Sequence, residues 1–101
     1  MQIDQKTAKK NAIIVMALQA CVGAISKNVR AVIIDISADD IELYFLVRVD
    51  DEDDREEAND IADELSILSE TYRVRPFYKA IGETPLPPIP PGQITIYREK
   101  S

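Results

Sequence analysis

Residues 41–49 alternate without a break, and no other feature constrains the fold as tightly. Ile41, Leu43, Phe45, Val47 and Val49 point one way, and Glu42, Tyr44, Leu46 and Arg48 point the other. That period belongs to a strand with one buried face. The run before it, residues 29–37, is rich in β-branched side chains and sets Val32, Ile34 and Ile36 on one face, which reads as a second strand. Ala38, Asp39 and Asp40 supply turn chemistry between them, because short acids bond the local backbone. The pair predicts an antiparallel hairpin with one face in a core and the other half polar and available.

A helix is expected on each side of this hairpin. In the first, over residues 4–26, Ile14, Leu18, Cys21 and Ile25 recur at helical spacing, and Asp4 can cap the start with Ile3 just outside. The same segment has a rival reading as a secretory signal. Lys6, Lys9 and Lys10 precede an apolar stretch at residues 12–18, and Leu18-Gln19-Ala20-Cys21 loosely resembles a lipoprotein cleavage site. Gln19 fits that site poorly, since a small residue usually stands there, and the folded helix accounts for more of the segment. The stretch is also shorter than the ~20 residues a bilayer requires. Cys21 lies on the apolar stripe and reads as a buried, inert thiol, with no histidine in the chain to activate it.

The second helix, expected over residues 54–71, follows the acidic run Asp50-Asp51-Glu52-Asp53-Asp54-Arg55-Glu56-Glu57 and aligns Ala58, Ile61, Ala62, Leu65, Leu68 and Tyr72 on one face. Asp53 with Glu56, or Asp54 with Glu57, has the spacing of a capping box. Acids in a first turn also complement the helix dipole, so part of the run has a purely structural account. A calcium loop is a poor match, because that template needs a glycine at its sharp turn and none lies between Val29 and Ile81.

Beyond this helix, residues 73–79 read as a strand that Pro76 pushes toward a sheet edge. Five of the six prolines then fall between Gly82 and Gly92. This stretch should be extended, near polyproline II, either as a ligand for a proline-binding domain or as a rigid connection along the domain's side with Leu86 and Ile89 as anchors. The connection is the preferred reading. Residues 93–98 make a last strand with Ile94 and Ile96 on one face. The expected architecture is a single α+β domain over residues 1–101. It has two helices on one face of a small mixed or antiparallel sheet of three to four strands, in the order α-β-β-α-β-β.

Composition narrows function by exclusion. The chain has 101 residues, no His, one Cys, and 12 Lys plus Arg against 18 Asp plus Glu. The missing histidine removes the commonest general base and metal ligand, and one cysteine rules out an internal disulfide or a cysteine zinc site. No catalytic residue, metal ligand or cofactor is predicted, and the chain is expected not to be an enzyme. Residues 39–64 hold thirteen acids against Arg48 and Arg55, a net −11, while the remainder carries +5. Direct binding of nucleic acid is disfavoured, since phosphates require clustered cations. Such an acidic face can serve solubility alone, or it can steer a basic protein partner. A nuclease, whose cleft must be basic, is one such partner.

Asn28-Val29-Arg30-Ala31-Val32, Ile41-Glu42-Leu43-Tyr44-Phe45, Asp53-Asp54-Arg55-Glu56-Glu57-Ala58 and Ile96-Tyr97-Arg98-Glu99-Lys100 together resemble one bacterial family. It comprises small helix–hairpin–helix–strand proteins, some of them immunity proteins of contact-dependent growth inhibition systems. The resemblance implies a cytoplasmic protein that binds and blocks a secreted toxin domain, often a nuclease. It offers no catalytic residues to carry over; separately, no membrane partner is expected. The candidate contacts are Asp39, Asp40 and Glu42 at the hairpin, Tyr44 as an aromatic anchor, Asp50, Asp51, Glu52, Asp53 and Asp54 at the turn, and Asp60, Asp63 and Glu64 on the second helix. Neutralising Asp50, Asp51 and Glu52 together is expected to weaken binding with the fold intact. The rival readings are a small acidic structural or regulatory protein, a lipid-anchored envelope protein processed at Cys21 and, last, an enzyme using a carboxylate pair.

Overall fold

The computed structural model describes residues 5–100, with side chains from residue 8 onward. Its elements are α1 (Gln5–Cys21), β1 (Val29–Ile36), β2 (Asp40–Val47), α2 (Glu52–Ser69), β3 (Arg73–Ala80) and β4 (Gln93–Arg98). The order is the expected α-β-β-α-β-β. The four strands form one mixed sheet in the spatial order β3-β2-β1-β4. β1 pairs antiparallel with β2 and with β4, and β2 pairs parallel with β3, Tyr44 lying opposite Phe77. A parallel pair needs a crossover, and α2 supplies it. Pro76 sits on β3, an outer strand, where the lost N–H matters least.

Both helices cover the sheet face that carries Val32, Ile34, Ile41, Leu43, Phe45 and Val47, all buried. The inward stripe of α1 is Ile13, Ala17 and Ala20 with Cys21, rotated from the expected Ile14–Leu18–Cys21–Ile25 line. Leu18 is exposed, and Ile14 and Ile25 pack only at the margin. Two small alanines let the helix axis approach the sheet closely, which a Leu18-centred stripe would prevent. α1 also stops earlier than expected. Gly23 takes φ 77° and begins a turn that leaves Val22 79% exposed, the stop signal glycine provides at a helix end. The cap and staple expected at Asp4 and Ile3 lie outside the described residues.

On α2 the buried residues are Ala58, Ile61, Ala62 and Leu65. Leu68 is exposed, and Tyr72 lies beyond the helix but still packs on the core. The N-cap is Asp51, not Asp53 or Asp54. Its backbone is extended, and its carboxylate accepts from the Asp54 N–H at 3.0 Å. The helix ends where Glu70 takes φ 62°.

β2 ends at Val47, two residues short of expectation. Val49 is exposed because its N–H and C=O both bond the Asn28 side chain, at 3.0 and 2.8 Å, instead of a neighbouring strand. The link from β3 to β4 must travel between the two outer strands, about 14 Å at ordinary strand spacing. The proline-rich stretch makes that crossing over the face without helices. Ile81, Leu86 and Ile89 pack there on buried Ala31, Ile33 and Leu46, so Leu86 and Ile89 are anchors as expected.

This strap is held by ions at one end. Arg30, only 7% exposed, pairs through Nε with Glu99 at 2.8 Å and donates to the carbonyls of Gly82 and Thr84. Arg48 bonds the other Glu99 oxygen, reaches Glu83 at 2.8 Å, and donates to the Lys27 carbonyl. The hydrogen bond from Arg30, then that from Arg48, hold the Glu99 carboxyl below its ordinary range against the opposing effect of burial.

Candidate protein-binding face

The start of α2 is fixed from three sides. Asn28 donates to Asp54 Oδ2 at 2.8 Å, and the Tyr78 hydroxyl donates to the Asp51 carbonyl and accepts from the Asp51 N–H. Arg55 pairs with Asp50 at 2.7 Å, and its guanidinium carbon sits 4.8 Å from the centre of the Tyr78 ring. Asp50, Asp51 and Asp54 therefore have structural partners. Asp51→Ala should lower stability by about 1 kcal/mol through loss of the cap; urea unfolding of the two proteins checks it. A triple neutralisation that includes Asp51 spares the fold only if Asp51 becomes Asn, which keeps an oxygen for the Asp54 N–H.

From this anchored start α2 runs about 27 Å at the helical rise. Glu56, Asp60, Asp63 and Ile67 are spaced for one line along its outer side, opposite Ala58, Ile61 and Leu65. Glu52, Asp53 and Glu64 flank that line. All these acids are exposed, and none forms an ion pair with a described residue. Ile67, 76% exposed, ends the row as a bare apolar contact. Glu56, Glu57 and Ile67 did not figure among the candidate contacts. The two glutamates were legible as part of the acidic window, and Ile67 as the one large apolar residue outside the stripe of α2.

The other candidates lie elsewhere. Asp39 is exposed at the hairpin turn, at the opposite end of β2 from Asp50. Asp40 is half-buried, with Arg73 Nε 3.1 Å and Arg75 3.7 Å from Oδ1, an ion pair without hydrogen-bond alignment. Its charge is balanced where β2 meets β3. Glu42 and Tyr44 belong to the sheet face away from the helices. There Tyr44 stacks on Phe77, centroids 5.0 Å apart and planes at 16°, and Phe77 was missing from the sequence reading. Burial first, then the charges of Glu42 and Asp35, raise the Tyr44 hydroxyl pKa. One flat partner surface cannot meet both this stack and the outer side of α2.

Among the described residues no three carboxylates are grouped to hold a metal ion, and no helix is long and apolar enough to cross a membrane. Burial, then the nearby charge of Glu64, push the Cys21 thiol up to about 11, so it stays protonated at neutral pH.

The model of the MafI2 immunity protein family matches residues 10–88, well over half of the chain, and the chain belongs to that family. The match runs from within α1 into the strap and stops short of Ile89 and β4. A search of curated proteins finds no match.

Proposed function

We propose that this protein neutralises a cognate secreted toxin, of the contact-dependent growth inhibition kind, by stoichiometric binding in the cytoplasm of the cell that makes it. Membership of an immunity family supports a toxin protein as the partner. The observation that carries the finer reading is the row of exposed carboxylates along α2 that pair with no described residue. A nuclease must present cations to hold phosphates, and this row complements such a cleft. Inhibition is by occupancy rather than by catalysis. Glu52, Asp53, Glu56, Asp60, Asp63 and Glu64 supply the steering charge, and Ile67 an apolar contact within it.

The test is to mix the full chain with the toxin domain encoded beside its gene. A stable complex and loss of nuclease activity at equal amounts are expected. A toxin that stays active and elutes separately would leave the acids with a solubilising role only. A toxin that is blocked but degrades no nucleic acid would retain the immunity role and discard the nuclease.

A further inference from the structure

The two edges of the sheet are built differently. Native sheets blunt exposed edges with proline or charge, since an open edge is a template for another strand. β3 carries both devices: Pro76, and Arg73, Arg75 and Lys79. β4 has neither within its span before Arg98. It reads Gln93-Ile94-Thr95-Ile96-Tyr97-Arg98, a β-prone sequence with Ile94 exposed. No described strand pairs with its outer side. Beside it, an apolar groove of about 270 Å³ runs between the end of α1 and the strand, lined by Leu18, Cys21, Val22, Ile25, Ile96 and Tyr97. Val15 and Leu18 on α1, and Val22 just past its end, are all exposed.

We infer that β4 and the adjoining flank of α1 form the interface of a symmetric dimer, in which two copies join edge to edge through antiparallel β4 strands. Charge selects a second copy as the occupant. With the two-fold axis between Thr95 and Ile96, Ile94 meets Tyr97 and Arg98 meets Gln93, so no like charges are opposed along the strand. α1 packs over β4 while α2 packs over β3. Joining through β4 therefore places the two acidic α2 faces on the outer sides of the pair, with both α1 helices between them. That arrangement minimises repulsion between two strongly acidic regions and leaves each α2 open. A six-residue strand alone buries too little for a stable dimer, which needs roughly 800 Å² per partner. The exposed valines and Leu18 of α1, brought together across the axis, extend the contact in the apolar manner of obligate dimers.

The test is the solution mass of the full chain over a concentration series, by light scattering on a sizing column. Wild type should run at twice its 11.3 kDa. The double variant Val22→Lys, Ile94→Lys and the single variant Thr95→Lys should run as monomers with the circular dichroism spectrum of the folded chain, because all three side chains are exposed in the monomer, and with a melting temperature that no longer rises with protein concentration. Wild type at single-chain mass throughout would overturn the proposal. So would dimers that persist in both variants. A monomeric wild type whose toxin binding is lost in Ile94→Lys would assign this edge to the toxin instead.

Discussion

Replacing Arg30 by methionine is expected to destabilise the fold by about 3 kcal/mol, near the low end of what removing one partner of a buried ion pair costs. The methionine fills similar space, but it strands the Gly82 and Thr84 carbonyls and one Glu99 oxygen that Arg30 satisfies. The loss should appear first in the strap, so limited proteolysis should cut within residues 83–92 sooner in the variant. The same cluster predicts a pH dependence. Glu99 is lowered from an ordinary 4.5, so its contribution is complete above that value. It is lost as pH falls through the lowered pKa, where the folded carboxyl finally takes up its proton. Denaturant titrations of wild type and Glu99→Gln check the sign. In acid, wild type should lose stability more steeply than Glu99→Gln, which has no carboxyl to titrate there. Equal slopes would mean that the pair is loose in solution.

The second large effect concerns binding. Converting Glu56→Gln, Asp60→Asn and Asp63→Asn together should slow toxin association about 100-fold at low salt, within the gap between steered and unsteered encounters. These three are chosen because no described residue forms an ion pair with them. Asp51 and Asp54 are spared as cap and tether, and Glu52 and Asp53 because first-turn acids favour the helix. Amides preserve shape, so thermal stability should be unchanged or slightly higher once mutual repulsion is relieved.

The strand pattern was legible because period-two alternation and a parallel or antiparallel neighbour leave the same imprint on Ile41 to Val47. The proline stretch was legible as a strap for a similar reason, since Leu86 and Ile89 are its only large apolar residues. The parallel pairing of β2 with β3 was not specified, because both directions bury the same side chains. Helix faces were read one step out of phase at α1. A run in which nearly every residue is apolar defines no unique stripe, and the closeness that Ala17 and Ala20 allow is a property of the packed sheet. The cap of α2 was read too late for an allied reason: among consecutive acids, the one that caps is decided by where β2 releases the chain and where Tyr78 holds it. Charge gave the acidic window but not its division. Sequence alone does not show that Asp40 is answered by Arg73 and Arg75 while Asp60 and Asp63 are answered by nothing described.

The central claim is that the carboxylates along α2 draw in a cationic toxin, and the association rate against ionic strength tests it most directly. For wild type the rate should fall steeply as the screening length contracts toward ~10 Å at 0.1 M salt. For the Glu56→Gln, Asp60→Asn, Asp63→Asn protein it should begin lower and fall less steeply, since Glu52, Asp53 and Glu64 still steer. Two parallel curves, equally steep and equally fast, would contradict the account.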